Sequence, residues 1–124
     1  MPFDAQITFL PVADLAVSRS FYEDLLGLEV VTDQGSCLIF AAGPGAYLGV
    51  CERDAVSPSE GVIITLVDDD VDHWSHRLEE AGVQIVSGPD HSDTYGIYHL
   101  FFHDPDGHLL EIQRFDDPKW ASGS

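Results

Sequence analysis

The sequence predicts an α+β protein built from two βαβββ modules. Apolar segments with the length of strands outnumber the segments with helical periodicity, and each half of the chain contains one helical pattern. The second half also repeats the first at an offset of 55 residues, which superposes Asp14 on Asp69 and Gly27 on Gly82. An internal repeat of this kind indicates that one supersecondary unit occurs twice.

The first module is predicted to span residues 5–52 and to begin with the strand Gln6–Val12. Asp14 is a suitable N-cap for a helix over residues 15–26, and Gly27 would end that helix. The helix would bury one apolar stripe, formed by Val17, Phe21 and Leu25. Three further strands are predicted at residues 28–32, 36–41 and 46–51.

A polar segment without periodicity, residues 52–61, is predicted to link the modules. The second module, residues 62–115, begins with a strand at 62–67 and a helix with Asp69 or Asp70 as its N-cap. The buried face of this helix would be formed by Val71, Trp74, Leu78 and Ala81. Closing strands are predicted at 83–86, 97–102 and 109–114, with a long loop at 87–96. With a polar tail at 116–124, residues 1–124 are predicted to form a single domain.

The last two strands are predicted to meet at a turn formed by Asp104-Pro105-Asp106-Gly107. Proline presets the backbone there, the aspartates cap local amides, and glycine accepts a left-handed conformation. The strand after this turn contains Glu111, a carboxylate in an otherwise apolar segment. From the hairpin alone, a side chain that points to solvent is the ordinary interpretation.

Composition restricts the function classes. The chain carries 22 acidic and 5 basic residues, a net charge of −17, which excludes nucleic acid and anionic membranes as partners. The same charge would concentrate cationic ligands, although solubility or adaptation to salt explains it equally well. No apolar run of about 18 residues and no basic-then-apolar leader occur, so we expect a soluble, cytoplasmic protein. Two cysteines are too few for a disulfide framework, and buried thiols are the expected state.

Several motifs together resemble the vicinal oxygen chelate superfamily, which includes glyoxalase I, extradiol dioxygenases, fosfomycin-resistance enzymes and bleomycin-resistance proteins. The matching segments span nearly the whole chain and are Pro11-Val12-Ala13-Asp14-Leu15, residues 20–28 (SFYEDLLGL), Val67-Asp68-Asp69, Ala81-Gly82-Val83 and residues 104–111. The resemblance implies that the modules curl into an open, barrel-like mixed sheet, a cup with the helices outside. It also implies a homodimer, because family members commonly pair.

The resemblance further implies where metal ligands stand in metal-dependent members, in the first and fourth strands of each module. Counted from the Asp14 motif, these positions fall on Ile7, Gly49, Val62 and Glu111. Only Glu111 can coordinate, whereas a divalent metal normally takes three or more donors. We therefore expect no cofactor and no metal site, as in the bleomycin-resistance-like branch. The alternative is a divalent metal held by Glu111 with His99 or His103.

Strand alternation extends these positions into a predicted ligand-binding lining. A mostly apolar cup with a few polar groups is typical of small-molecule sites. The predicted lining comprises Ile7, Phe9, Cys37, Ile39, Tyr47, Gly49, Cys51, Val62, Ile64, His99, Phe101, His103, Glu111 and Gln113. If the first hairpin is centred near Pro44, Cys37 and Cys51 would be cross-strand neighbours, with a redox role as the alternative to two buried thiols.

The leading hypothesis is a metal-independent protein that binds a small aromatic or cationic compound, without catalytic residues; sequestration of that compound is an extension of this hypothesis. In this interpretation Glu111 is a buried counter-ion, although a surviving metal ligand and a structural relic stay open. The competing hypothesis is a metal-dependent glyoxalase-like lyase, isomerase or dioxygenase that uses Glu111 with His99 or His103. A regulatory domain without a free ligand is the third.

Overall fold

The computed structural model describes residues 2–58 and 60–120, and it confirms the predicted fold class. Two βαβββ modules follow one another along the chain, and each forms its own open four-stranded mixed sheet. The residues divide into two compact units, one of residues 2–58 with 105–107 and one of residues 60–104 with 108–120. Within the described residues, no helix has the length and apolar character needed to cross a membrane.

The first unit contains a four-stranded sheet in the order β1-β4-β3-β2. Its strands are β1 (Gln6–Val12), β2 (Glu29–Asp33), β3 (Cys37–Gly43) and β4 (Ala46–Glu52). The first strand runs parallel to the last, and the other neighbours are antiparallel. One face of this sheet is the core, with the buried side chains Leu10, Val12, Leu38, Phe40, Leu48 and Val50.

The helical segment of the first unit differs from its prediction. Helix α1 (Leu15–Arg19) begins as expected, because Asp14 accepts hydrogen bonds from the amides of Ala16 and Val17. The chain then continues as a π-helix, Ser20–Leu25, in which each turn is wider. The predicted stripe is wrong at Val17, which lies in α1 and is 49% exposed. In the π-helix, Phe21 is buried as predicted and Tyr22, outside the predicted stripe, is fully buried.

The second unit has the same topology, with the strand order β5-β8-β7-β6. Helix α2 (Val71–Glu80) begins after Asp70, whose carboxylate accepts a hydrogen bond from the amide of His73. Its buried residues include Val71 and Leu78, and it packs on the sheet face that carries Leu100, Phe102, Leu110 and Ile112. The strands are β5 (Ile63–Val67), β6 (Ile85–Ser92), β7 (Ile97–His103) and β8 (Leu109–Phe115).

The predicted loop at residues 87–96 is wrong over its first part, because β6 continues to Ser92 and pairs with β7. Gly88 and Pro89, residues typical of turns, sit where the pairing register shifts between Ser87 and Asp90. A bulge is one of the few places where a strand tolerates proline. Beyond β8, the ring of Trp120 stacks on Phe115 with 4.3 Å between their centroids.

The predicted turn at Asp104–Gly107 is confirmed. The carboxylate of Asp104 accepts a hydrogen bond from the amide of His108, and the amide of Asp104 donates to the His108 carbonyl. Gly107 has φ of 88°, the left-handed conformation that the turn requires. This turn sets the register of β7 and β8 and so places Phe101 opposite Glu111.

Candidate functional site

Glu111 lies at the middle of β8, between β5 and β7. The pairing register sets Thr65 on one side of it and Phe101 on the other. Paired residues of neighbouring strands project to the same face, and this face is opposite to the one that packs on α2. We call it the Glu111 face. Glu111 itself is only 7% exposed, so its carboxylate needs partners within the protein.

Three neighbouring side chains supply those partners. The hydroxyl of Thr65 donates to Oε1 of Glu111 at 2.9 Å, and Nδ1 of His99 lies 2.5 Å from Oε2. When the amide of Gln113 is oriented with its nitrogen toward the carboxylate, that nitrogen lies 3.0 Å from Oε2 and 3.2 Å from Oε1. An ionised carboxylate only accepts hydrogen bonds, so this cluster of donors satisfies it.

Two side chains of this cluster reach solvent, Thr65 and the imidazole of His99. Of the two, His99 is the more deeply set. Its side chain is 18% exposed, and its ring meets Phe101 edge-on at 5.0 Å between centroids. With Nδ1–H donating to Glu111, Nε2 of the neutral ring carries a lone pair. Nε2 can therefore accept a proton or a hydrogen bond, or bind a metal.

The structure brings most of the predicted second-module residues to this face. His99, Phe101, His103 and Gln113 share the parity of Glu111, and His99 is diagonal to it, as predicted. His103 pairs with Leu109 at the end of the sheet and makes no ion pair or hydrogen bond to Glu111 within the described residues. Whether these residues bind a ligand stays a prediction.

Two predicted lining residues, Val62 and Ile64, are wrong. Val62 precedes β5, and Ile64 pairs with Leu110 on the helix-packed face. The offset of 55 aligns Asp14 with Asp69, whereas the observed N-cap is Asp70, 56 residues after Asp14. The strand register that sets Phe9 beside Gly49 and Thr65 beside Glu111 also requires 56. A shift of one residue moves a strand side chain to the other face. The residue missed is therefore Thr65, whose only signal was a hydroxyl in an apolar strand.

The first unit presents a different chemistry on the corresponding face, which we call the Gly49 face. Its predicted residues do share that face, namely Ile7, Phe9, Cys37, Ile39, Tyr47, Gly49 and Cys51. The ring of Phe9 lies where a Cβ on Gly49 would stand, so a side chain there would overlap it. The ligand position expected in β4 is therefore covered by an aromatic ring.

Cys37 and Cys51 are directly opposite each other on β3 and β4, which confirms the predicted hairpin register. The expectation of two free thiols is wrong, because the two residues form a disulfide. The sequence could place the sulfurs side by side, but composition alone argued against a bond between them.

A cavity of about 450 Å³ lies beside this disulfide. Three of the residues predicted for the first module line this cavity, namely Phe9, Cys37 and Cys51. The predicted residues Ile7, Ile39 and Tyr47 do not line it. The other lining residues are Leu10, Pro11, Gln34 and Arg53. Gln34 and Arg53 were missed because they lie outside the strands, where alternation gives no information. The scarcity of basic residues was the one signal that marked Arg53.

These features define a class of protein. The family model of the Glyoxalase/Bleomycin resistance protein/Dioxygenase superfamily matches residues 5–112, and the chain belongs to that family. The match runs from just before β1 into β8 and so includes both modules.

Particular relatives fall into two groups. Metallothiol transferase FosB of Staphylococcus haemolyticus is 31% identical over 107 residues, covering 82% of this chain and 76% of the relative. Glutathione transferase FosA of Serratia marcescens is 34% identical over 112 residues, covering 83% and 74%. Among solved structures, TnmS3, an antibiotic-binding protein from Streptomyces sp. CB03234, has a TM-score of 0.77 at 27% identity, covering 92% of this chain and 98% of TnmS3.

The expectation of no cofactor is contradicted by the metallothiol transferases, which are named for a metal. Nε2 of His99 is the atom that would hold one, with Glu111 orienting the ring, since metal-binding histidines usually donate their second ring N–H to a carboxylate, a backbone carbonyl or water. Within residues 2–58 and 60–120, however, no group of three or more His, Cys, Asp or Glu could hold an ion. The pair thus fits only part of a metal site.

Proposed function

We propose that this protein binds a small aromatic or cationic compound on the Glu111 face and thereby confers resistance to an antibiotic. The observation that carries the proposal is the buried carboxylate of Glu111, held by Thr65, His99 and Gln113 directly beside an aromatic ring. The similarity to an antibiotic-binding protein supports the same proposal.

In this proposal each side chain has a separate task. Nε2 of His99 accepts a hydrogen bond from the ligand, and Phe101 offers a ring for stacking or for a cation. Glu111 holds His99 in the tautomer with its proton on Nδ1 and adds a negative charge behind it. Glu111 is thus a positioning residue, because its own oxygens already accept hydrogen bonds within the protein.

The charge of the chain supports a cationic ligand. With 22 acidic and 5 basic residues, the protein attracts cations over a distance, and this attraction accelerates their binding at low ionic strength. At 0.1 M salt the attraction is largely screened beyond a distance of about 10 Å. Affinity for a cation should therefore fall as salt is added, and affinity for a neutral aromatic compound should not.

The test is isothermal titration with bleomycin and with ethidium, a flat aromatic cation, on the native chain and on Glu111→Gln. We expect the variant to bind at least about tenfold more weakly, equivalent to about 1.4 kcal/mol. Glu29→Gln, the same change on an exposed strand residue of the first unit, is the matched control and should bind normally. Equal affinity of all three proteins for both compounds, or no binding by any, would refute the proposal.

The second candidate is a metal-dependent transferase, which the FosB and FosA relatives favour. A bound divalent ion would polarise a substrate oxygen, and Nε2 of His99 would hold that ion while Glu111 orients the imidazole. Metal content after purification without chelator, followed by titration with Mn²⁺, Fe²⁺, Ni²⁺ and Zn²⁺, tests this candidate. One equivalent of metal that is lost in both His99→Gln and Glu111→Gln would support it.

A homodimer and a cytoplasmic location stay predictions. Light scattering of the native chain, across a range of concentrations, measures the first directly. The mass of one chain is 13.6 kDa, so a stable dimer would be observed near twice that value. A mass that stays at 13.6 kDa at every concentration would contradict the dimer.

A further inference from the structure

The cavity of the first unit contains a chemical group that the proposed binding function does not use. We propose that the Cys37–Cys51 disulfide is a reactive site and that the cavity admits a small anionic thiol, which exchanges with it. The disulfide forms part of the cavity wall, and the volume of about 450 Å³ lies within the range of small-molecule sites. The proposal does not depend on what binds at His99 and Glu111.

The two cysteines differ in exposure, and we take this difference to set the direction of attack. Cys37 is half-buried, whereas Cys51 is 6% exposed. A thiolate attacks one sulfur and expels the other, so the more accessible sulfur is the one attacked. Attack therefore occurs at Sγ of Cys37, and Cys51 is the leaving thiolate.

Arg53 supplies a positive charge that favours such a step. Its side chain lines the cavity, and Nη1 donates to the carbonyl of Glu52 at 2.9 Å, which holds the guanidinium beside the end of β4. A neighbouring cation stabilises a thiolate, and Cys51 lies two residues earlier in the chain. Because acidic residues outnumber basic ones by 22 to 5, Arg53 also offsets the repulsion that an anionic thiol would meet.

The remaining wall suits an organic thiol of modest size. Phe9, Leu10 and Pro11 offer apolar surface for its carbon atoms, and the amide of Gln34 can donate or accept a hydrogen bond. The chemical class is therefore a low-molecular-weight thiol with a carboxylate. Glutathione has this chemistry and serves as the probe.

The exchange balances without any further reactant. The thiolate of the probe forms a new S–S bond to Cys37, the bond between Cys37 and Cys51 breaks, and its electron pair stays on Cys51 as a thiolate. A second probe thiolate can then attack the mixed disulfide, which releases the oxidised probe and the Cys37 thiolate. Two probe thiols are oxidised and the protein disulfide is reduced.

The first experiment uses the native, folded chain with reduced glutathione, with iodoacetamide added as a trap and peptide mapping by mass spectrometry. We expect glutathione on Cys37 and the trap on Cys51 in the same molecules. Glutathione on Cys51, or no adduct from the folded chain when the urea-unfolded chain reacts, would overturn the proposal. The second result would identify a closed, structural disulfide.

The second experiment tests the anionic class by comparing 3-mercaptopropionate with cysteamine, at rates corrected for the thiolate fraction of each. Arg53→Gln should slow exchange with the anionic thiol about threefold to fivefold relative to the cationic one, as expected for an exposed charge. Arg19→Gln, which removes the same charge from an exposed ion pair with Glu23, should change that ratio less than about twofold. An equal change in both variants would show that only net charge matters and would reject the role of Arg53.

Discussion

Thr65→Val tests how strongly the hydrogen bonds to Glu111 stabilise the second unit. Valine keeps the shape of threonine but lacks the hydroxyl that donates to Oε1 of Glu111 at 2.9 Å. Hydrogen bonds to charged groups contribute about 1.5–3 kcal/mol. Because Thr65 is exposed and Gln113 offers a further donor, we expect the lower end, a loss of about 1.5 kcal/mol in the free energy of unfolding.

The assay is urea unfolding followed by circular dichroism, in which this loss lowers the midpoint by about 0.5–1.5 M. In a Glu111→Gln background the same hydroxyl meets a neutral amide, so Thr65→Val should cost about 0.5–1 kcal/mol less there. Thr32→Val, on an exposed position of β2, controls for the higher strand propensity of valine. Equal costs in both backgrounds, or a cost no larger than that of Thr32→Val, would refute the reasoning.

Three further predictions address other parts of the fold. Reduction of the β3–β4 disulfide, whose cysteines are 14 residues apart, should lower the free energy of unfolding by about 3 kcal/mol in urea titrations with and without dithiothreitol; coincident curves would contradict this. The hydroxyl of Tyr98 donates a hydrogen bond to Asp72, and this bond raises the pKa of the tyrosine. The stability that the bond contributes is therefore complete below pH 10 and is lost as the pH rises through the raised pKa. Absorbance titration of Asp72→Asn should therefore show a lower tyrosine pKa than the native chain, and an unchanged titration would exclude that hydrogen bond as the cause. Gly49→Ala should destabilise the protein by about 1–3 kcal/mol in the same urea assay, because the new Cβ overlaps the ring of Phe9, and this cost should vanish in a Phe9→Ala background.

The sequence sufficed for the fold because the relevant patterns are local. Alternating apolar residues, the caps at Asp14 and Asp70, and the turn at Asp104–Gly107 each act within a few residues, and all of them agree with the structure. The errors occur where a local pattern is overridden. The helical periodicity assumed for residues 15–26 ends at Arg19, where a π-helix begins, and a bulge lets β6 continue through Pro89.

The candidate site could be predicted only in part, because it depends on register between distant strands. The alternation of side chains along the β7–β8 hairpin correctly predicts that His99, Phe101 and Gln113 share a face with Glu111, since a short turn fixes the register of these two strands. The pairing of β5 with β8 has no such turn, and an error of one residue exchanged Thr65 for Ile64. Neither the disulfide nor the cavity beside it follows from strand parity, because parity places side chains on a face without saying which atoms bond.

The two modules show why one repeat can carry two chemistries. Their helix-packed faces repeat closely, with Leu48 and Val50 in the first unit corresponding to Leu110 and Ile112 in the second, because any polar side chain there would be buried without a partner. The opposite faces are not held by that constraint, and they have diverged at the aligned positions Gly49 and Glu111. One position is covered by an aromatic ring beside a disulfide, and the other is a carboxylate behind a histidine. The two modules therefore differ in the side chains of these faces and not in the fold that they share.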